Sequence, residues 1–384
     1  MSEINASNFK KEHGDLAPDL VGVTELTSPY FFVPPSGTTA ERPEDCEPGT
    51  LRFNTDHGSL EVFRGKTIGW EQIQRRESQY LGGGTGSNTG TGNRGLFMGA
   101  ASPSQSTAIE FITISTLGDA NDFGDRTQSG QGGQFSSSTR AVCGGASAPT
   151  YVNTVDFVTM SSTGNATDFG DKTTLNARAS GCSNETRGML AGGFKAPAAS
   201  DVIDFCTIAT TGNFIDFGNL LGNREAPAGN INSPTRAMWT SGDVDGAGNF
   251  QNSISFVTIA STGNAEEFGG MSEASFGASG LCSATRGVIG GGYTPSNSNV
   301  IQYLTIATKG NCQDFGDLSD GKYNRGSTSN SIRGVFAGGG PSHVNLMQFV
   351  EIPTTGNASD FGDLNKAVFV VHGISDSHGG LGGF

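Results

Sequence analysis

The chain has 384 residues, of which 59 are glycine, 25 are phenylalanine and 16% are charged, and its formal net charge is −14. This acidic balance argues against partners with anionic surfaces, such as nucleic acids and membranes, because their recognition needs a basic footprint. The glycines lack the three-residue period of collagen, and the phenylalanines argue against disorder because each can bury a large apolar surface. No apolar stretch approaches the ~20 residues of a membrane span, so we expect no membrane insertion.

The N-terminal stretch differs in composition from the rest of the chain. Residues 1–37 show little periodicity and contain Ser-Pro and Pro-Pro, which predicts an extended arm. Residues 50–73 alternate apolar and polar side chains on either side of a turn at 56–58, which predicts a β-hairpin. One hairpin cannot fold alone, so we expect residues 1–80 to dock on the rest of the chain, on a partner or on copies of themselves. Residues 81–92 have the composition of a flexible linker.

One phrase recurs six times after this linker. In each copy an aromatic residue precedes the phenylalanine of an Asp-Phe-Gly or Glu-Phe-Gly phrase by 12 residues, and the pairs are Phe111/Phe123, Phe157/Phe169, Phe205/Phe217, Phe256/Phe268, Tyr303/Phe315 and Phe349/Phe361. The centre of each copy is Gly-Asn, or Gly-Asp in the first, which is typical of a two-residue type II′ hairpin turn. The phrase therefore predicts a hairpin in which Met160 faces Phe169. The equivalent pairs are Ile114/Phe123, Ile208/Phe217, Ile259/Phe268, Ile306/Phe315 and Ile352/Phe361.

A short apolar strand closed by glycine precedes each hairpin. These strands read NRGLFMGA from Asn93, TRAVCGGA from Thr139, TRGMLAGG from Thr186, TRAMWTSG from Thr235, TRGVIGGG from Thr285 and IRGVFAGG from Ile332. A further weak strand lies before most of them, which gives four strands in each repeat of 46 to 51 residues and no helical period. Four strands at this spacing are the pattern of one β-propeller blade.

We therefore expect an all-β propeller of six blades over residues 93–384. Blade 1 begins poorly, whereas the C-terminal stretch Ala367–Asp376 resembles the first strand of a further repeat. This strand should close the ring by pairing with Arg94–Gly99, because an open ring would expose two sheet edges. Seven blades, with the N-terminal hairpin completing the last one, are the alternative.

The Arg-Gly…Gly-Gly strand followed by a hairpin resembles the kelch repeat, over roughly residues 93–384. The double glycine is present in repeats 2, 3, 5 and 6 and fails in repeat 4, at Thr240-Ser241-Gly242. The kelch tryptophan near the end of the blade is replaced by the phenylalanine of the Asp-Phe-Gly phrase. The resemblance implies a kelch-like β-propeller rather than a close kelch match.

The stretch from Gly37 to Ile73 resembles modules in the fibres and other virion proteins of tailed bacteriophages. The matching residues are Arg42-Pro43, Arg52-Phe53-Asn54-Thr55 and Trp70. Together with the Thr-Gly-Asn-Ala-x-Asp-Phe-Gly-Asp repeats, the chain looks like structural proteins of phages that infect marine cyanobacteria. The resemblance implies a virion protein made in the host cytoplasm, such as a tail fibre, appendage or decoration protein. We expect a homo-oligomer that contacts other virion proteins through residues 1–80, and a cellular kelch-like adaptor is the alternative.

The links after the glycine-ended strands vary most between repeats. They span residues 101–108, 145–153, 194–201, 243–251, 293–299 and 341–346. In a propeller, equivalent loops share one face, and these carry Tyr151, Phe194, Phe250, Tyr293 and His343. Polar loops with single aromatic residues suit receptor binding to a host-surface glycan or protein. Loops that are merely solvated are the alternative interpretation.

The sequence carries no recognisable catalytic constellation. The five histidines do not cluster at ligand spacing and no Gly-x-Ser-x-Gly elbow exists, so we expect no enzymatic activity, catalytic residue, metal or cofactor. The aspartate pairs Asp122/Asp125, Asp168/Asp171, Asp314/Asp317 and Asp360/Asp363 could bind calcium, although turn capping is expected.

Two other recurring residue types have competing interpretations. The repeated arginines Arg94, Arg140, Arg187, Arg236, Arg286 and Arg333 could bind an anion in the central channel, although ties between repeats are expected. The six cysteines form no CxxC pair and are expected as free, packed thiols. Cys182 and Cys282 fall at nearly the same place in two repeats, which suggests a buried small-residue slot.

Overall fold

The computed structural model describes residues 34–43, 45–56, 59–72, 94–101, 103–147, 149–369 and 372–382. The chain divides into two compact units, Met1–Arg75 and Arg76–Phe384. The predicted arm before residue 34, residues 57–58 of the predicted turn and the predicted linker at 81–92 lie outside the described residues. Within the described part of the chain, no helix is long and apolar enough to cross a bilayer.

The first unit is a four-stranded sheet. Its strands, in spatial order, are Ser36–Gly37, Leu51–Asn54, Ser59–Phe63 and Trp70–Gln72, and a 3-10 helix spans Thr39–Glu41. The two central strands are antiparallel, so the predicted hairpin pairing is confirmed. Sequence reasoning missed the parallel edge strand at residues 36–37.

This small sheet buries a polar network on one face. Glu61 is fully buried and is paired with Arg42, whose guanidinium holds the pKa of Glu61 below its usual range. Asn54 Nδ2 donates to Glu61 Oε1 at 2.8 Å. The Arg52 guanidinium lies 5.7 Å from the centre of the Trp70 ring. The residues that carry the resemblance to phage modules are therefore the ones that hold this sheet together.

The second unit is built from six four-stranded antiparallel sheets, as predicted, and they form a six-bladed propeller. From the first to the fourth strand, blade 1 consists of Gly373–Ser375, Arg94–Ala100, Ser106–Thr113 and Asn121–Asp125, and blade 2 of Gly133–Ser136, Arg140–Ala146, Val152–Thr159 and Thr167–Asp171. Blade 3 consists of Ser180–Ser183, Arg187–Ala191, Ala198–Thr207 and Ile215–Arg224, with the short strand Phe194–Lys195 beside the third, and blade 4 of Ala228–Asn232, Arg236–Thr240, Gln251–Thr258 and Glu266–Ser275. Blade 5 consists of Ser279–Cys282, Arg286–Gly290, Val300–Thr305 and Gln313–Asp317, and blade 6 of Gly326–Ser329, Arg333–Ala337, Val344–Glu351 and Ser359–Val368. A 3-10 helix follows at Gly379–Leu381.

The C-terminal strand closes the ring as predicted. Gly373–Ser375 pairs antiparallel with the second strand of blade 1, with Ile374 opposite Leu96. The closing strand is shorter than expected, because Val368 still belongs to the fourth strand of blade 6. The seven-bladed alternative is wrong, since the N-terminal strands form a sheet of their own.

The predicted two-residue turn at Gly-Asn is wrong. In blade 2, Phe157 pairs with Thr167, so the link between these strands runs over residues 160–166. Gly164 instead donates its backbone N–H to the carbonyl of Phe123 in the preceding blade, at 2.8 Å. The same bond joins Gly118 to Phe361, Gly212 to Phe169, Gly263 to Phe217, Gly310 to Phe268 and Gly356 to Phe315.

The predicted aliphatic–aromatic pairs are consequently wrong as well. Met160 packs in a cluster with Phe123 of the preceding blade, and Ile208 packs in a cluster with Phe169. The other clusters join Ile114 with Phe361, Ile259 with Phe217, Ile306 with Phe268 and Ile352 with Phe315. Within blade 2, Phe169 meets the edge of Phe157 instead, with ring centres 5.8 Å apart. These side chains are buried between blades, as expected, but each aliphatic residue packs with the phenylalanine of the preceding blade and not with that of its own.

The repeated arginines tie neighbouring blades, as expected. Arg140 lies over the Phe157 ring of its own blade at 4.7 Å, and its Nη1 donates to the carbonyl of Ile208 in the next blade at 2.9 Å. The equivalent bonds run from Arg94 to Met160, Arg187 to Ile259, Arg236 to Ile306, Arg286 to Ile352 and Arg333 to Ile114. These arginines therefore hold the ring together rather than lining its axis.

All six cysteines are free, as expected. Cys182 and Cys282 are both buried, as predicted, but they occupy neighbouring positions in their strands rather than the same one. Cys182 lies opposite Met189, whereas Cys282 lies opposite Gly287, the position that Ser183 occupies in blade 3. A shift of one residue moves a strand side chain to the opposite sheet face, so the two thiols point in different directions. Burial raises the pKa of Cys182 to about 12.

Candidate functional site

Two sets of links meet at one end of the propeller. Strand direction places the loops between second and third strands beside the links that follow each fourth strand. Short antiparallel bridges join the two sets, as between Phe276 and Tyr293 and between Glu225 and Asp243. We call this end the 2–3 loop face. It is the face to which the predicted site residues belong.

The structure brings two of the predicted residues into direct ring contact. Phe250 and Tyr293 lie with ring centres 5.8 Å apart and ring planes at 85°. Phe276 stacks on Phe250 at 6.2 Å and 28°, and Tyr323 lies 5.7 Å from Tyr293. Phe250 and Tyr293 lie in the 2–3 loops of blades 4 and 5, and Phe276 and Tyr323 lie in the links that follow the fourth strands of these two blades. The four rings therefore meet only because the blades are adjacent.

The row of rings continues towards blade 6. Phe369 lies 6.1 Å from Tyr323, and the predicted residue His343 lies 5.3 Å from Phe369. We call this set the aromatic arc; its members are Phe250, Phe276, Tyr293, Tyr323, Phe369 and His343. The arc follows the rim of the propeller over neighbouring blades.

The other two predicted residues lie outside the arc. Phe194 is at its edge, because a Cβ at Gly246 would be 3.3 Å from Phe194 Cε2. Tyr151 is half-buried in the link of blade 2 and makes no ring contact with the described aromatic residues. The prediction thus grouped five residues of which the structure brings three into one set.

A cleft of about 330 Å³ opens beside the arc. Its lining consists of Glu225, Asp243, Gly246, Gly248, Phe250, Phe276, Tyr293 and Tyr323. Aromatic walls with a few fixed polar groups are the usual make-up of a small-ligand site, and the volume falls at the lower end of the range for such sites. The cleft therefore has the make-up of a candidate ligand site on this face.

Two buried carboxylates belong to the cleft. Asp243 accepts hydrogen bonds from the backbone N–H groups of Gly248, at 2.8 Å, and Asp245, at 3.2 Å, and so fixes the loop that carries Phe250. Glu225 is 4% exposed, and its Oε1 is paired with Arg178. Asp243 thus shapes the wall of the cleft, while Glu225 supplies a buried acceptor at its side.

Sequence reasoning missed Phe276, Tyr323 and Phe369. Each follows the phenylalanine of its Asp-Phe-Gly or Glu-Phe-Gly phrase by eight residues, and Glu225 occupies the same place after Phe217. This constant offset was the available signal.

The chain's own C-terminal tail fills one end of the central channel. The backbone N–H of Gly380 donates to His378 Nδ1 at 3.2 Å, and His378 Nε2 lies 3.1 Å from the carbonyl of Ser136. His378 is 7% exposed, and burial lowers its pKa to about 4. A neutral imidazole and a packed tail occupy this place, so an anion site formed by arginines at this end is wrong.

The aspartates of the repeated phrases serve the strand ends. Asp125 accepts from Thr107 Oγ1 at 2.8 Å, and its backbone N–H donates to Asn165 Oδ1 of the next blade at 3.1 Å. Among the residues that the structure describes, no group of three or more histidine, cysteine or acidic side chains could hold a metal ion.

The comparisons with known proteins concern the fold. No family model matches the chain, and no curated protein matches it. Among solved structures, the chain is similar to "Structure of YjhT", with 10% sequence identity and a TM-score of 0.53, over 64% of this chain and 86% of that one. At this identity the likeness shows the fold alone, a kelch-type β-propeller.

Proposed function

We propose that this protein is a non-enzymatic structural component of a tailed-bacteriophage virion, which attaches through residues 1–80 and displays its propeller. The observation that carries the proposal is the outward apolar face of the N-terminal sheet. Leu51 and Leu60 are 45% and 39% exposed, and Ile68 in the following turn is 65% exposed. On the opposite face, Asn54 and Glu61 are fully buried.

This arrangement reverses the usual one. A two-faced antiparallel sheet normally packs its apolar side and solvates its polar side. Here the polar side is already filled by the network around Glu61, which leaves the apolar side available for another surface. The partner is another virion protein or a copy of this chain, consistent with the resemblance of residues 37–73 to phage modules. The protein would be made in the host cytoplasm and carried in the particle.

The propeller supplies the displayed end. Its loops carry the aromatic arc on one face, and aromatic side chains contribute large contact area at low entropic cost. We therefore propose that this face binds a host-surface glycan or protein. Passive decoration of the particle and a cellular kelch-like adaptor are the competing functions, and the adaptor would need a partner domain that interacts with it.

Two variants test the attachment. Deletion of residues 1–75 should leave a folded propeller that is absent from particles assembled in the infected host. Leu51→Ser with Leu60→Ser should have the same effect on incorporation, because both side chains are exposed and their loss leaves the buried network intact. The matched control is Leu175→Ser, since Leu175 is 44% exposed on the propeller.

The readout is the amount of each variant in purified particles by mass spectrometry, against the wild type. Loss of both N-terminal variants with retention of the control supports the proposal. Normal incorporation of the protein without residues 1–75, or absence of the wild-type protein from particles, contradicts it.

A further inference from the structure

We propose that the cleft beside the aromatic arc binds a neutral oligosaccharide, with sugar rings stacked on Phe250 and Tyr293. This inference rests on the proposed function and names the ligand class for the displayed end of the propeller. It follows from the shape of the ring walls, from the polar groups at the side of the cleft and from its charge.

The rings provide faces that suit a sugar. A pyranose has an apolar face of C–H groups and a rim of hydroxyls, so it combines well with an aromatic wall that has polar neighbours. Phe250 and Tyr293 meet edge to face at 85°, and Phe276 stacks on one face of Phe250. Tyr293 is 37% exposed, which leaves part of its surface open to a ligand.

Polar groups lie at the side of the cleft. Glu225 Oε2 lies 3.5 Å from the Cβ position of Gly246, which lines the cleft. Among the described residues, this oxygen accepts no hydrogen bond, whereas Oε1 is paired with Arg178. The hydroxyls of Tyr293 and Tyr323 likewise make no hydrogen bond within the part of the chain that the structure describes. A carboxylate oxygen accepts strongly from a hydroxyl, and a phenol can both donate and accept.

The charge of the cleft selects a ligand without negative charge. Its described lining includes the carboxylates of Glu225 and Asp243 and no cationic side chain. Arg178, the cation beside it, is already paired with Glu225. Because Arg178 offsets the charge of Glu225, the carboxylate of Asp243 remains, and an anionic sugar would bring a second negative charge beside it. Like charges at short range disfavour binding.

The shape of the aromatic arc favours an extended ligand over a compact cation. Aromatic cages for quaternary ammonium groups place several ring faces around one point. Here the rings continue in a row through Tyr323 and Phe369 to His343, with neighbouring centres 5.3 to 6.1 Å apart. A row of rings fits successive units of an oligosaccharide.

The test uses the full-length protein on an array of neutral and acidic oligosaccharides, followed by titration with the best neutral ligand. Tyr293→Ala and Phe250→Ala should each weaken that affinity by about tenfold or more, as expected for the loss of one stacking wall. Glu225→Gln should weaken it as well. Tyr151→Ala is the matched control and should bind like the wild type, because Tyr151 lies outside the cleft. Thermal unfolding of each variant checks that the propeller is intact.

The inference is overturned if the protein binds acidic saccharides only or binds no oligosaccharide of the array. It is also overturned if the protein binds tetramethylammonium in the cleft and no neutral saccharide. An equal loss in Tyr151→Ala also contradicts it. Incorporation into particles separates this inference from the proposed function, since the Tyr293→Ala protein should still assemble through its N-terminal unit. If the saccharide does not bind but the protein is still incorporated, the cleft assignment alone fails.

Discussion

The backbone N–H of Gly164 donates to the carbonyl of Phe123 at 2.8 Å, and this bond joins blade 2 to blade 1. Gly124 follows Phe123 with φ +147°, and a Cβ there would lie 2.4 Å from the carbonyl oxygen of Gly164. The Phe-Gly end of one phrase thus receives the Gly-Asn centre of the next. Because both places are fixed by contacts between blades, an insertion between the Gly-Asn centre and the Phe-Gly end of a phrase would break one of these contacts.

Replacement of Gly124 by alanine should destabilise the propeller by about 3 kcal/mol, because the added methyl group collides with backbone at a positive φ. Gly222→Ala is the matched control, since no atom lies within 4 Å of a Cβ at that position. Denaturant unfolding of both variants measures the difference. Equal stability of the two proteins would contradict the clamp between blades.

The partner of Phe169 can be tested by double-mutant cycles. Phe169 shares a core cluster with Ile208, whereas Met160 lies in the cluster of Phe123. Phe169→Ala should cost about 3–5 kcal/mol, and it should couple with Ile208→Ala by about 0.5–3 kcal/mol. The cycle with Met160→Ala should give a much smaller coupling energy. A coupling energy that is larger for Met160 than for Ile208 would restore the hairpin register read from the sequence.

The contrast between the repeat and its turn explains what sequence reasoning can predict here. The four strands of each repeat can be predicted because each strand is a short apolar run that is visible locally in the sequence. The six blades can be predicted because the spacing of the paired aromatic residues recurs six times. The contact of Gly164 with the preceding blade cannot be predicted from the sequence. A glycine before asparagine suits a tight turn, and it equally suits a close approach of its backbone to another blade. The cleft shows the same limit. Phe250 and Tyr293 were predicted from variable loops, but Phe276 and Tyr323 join them only through the stacking of blades.

The buried tail makes stability depend on pH. His378 has a folded-state pKa of about 4, below the usual value near 6.5. Below pH 6.5 the unfolded chain therefore binds a proton that the folded protein binds only near pH 4. Stability contributed by the neutral imidazole is complete above pH 6.5 and falls as pH drops towards 4, by about 3 kcal/mol in total.

His378→Asn isolates this effect, because asparagine can still cap the 3-10 helix at Gly379–Leu381 and does not titrate. The variant should be less stable than the wild type at pH 7, and the gap should narrow as pH falls to 4. Denaturant unfolding at several pH values measures it. A gap that does not change with pH would show that His378 is not held neutral.

Because the C-terminal strand closes the ring, we expect its removal to destabilise all six blades together. Residues 373–375 supply the first strand of blade 1, and the tail after them packs against Ser136. Deleting residues 373–384 should leave the edge of Arg94–Ala100 unpaired and lower the unfolding temperature of the whole propeller, rather than of blade 1 alone. Hydrogen exchange followed along the chain distinguishes the two results. Faster exchange confined to blade 1 would contradict a ring that unfolds as one unit.

Electron cryomicroscopy of purified phage particles tests the central functional claim most directly. We expect six-bladed density on the outside of the particle, with residues 34–72 against another virion protein or a copy of this chain and with the 2–3 loop face towards solvent. Particles that lack this density, or density in which the aromatic arc is buried against the particle while residues 34–72 face solvent, would contradict it.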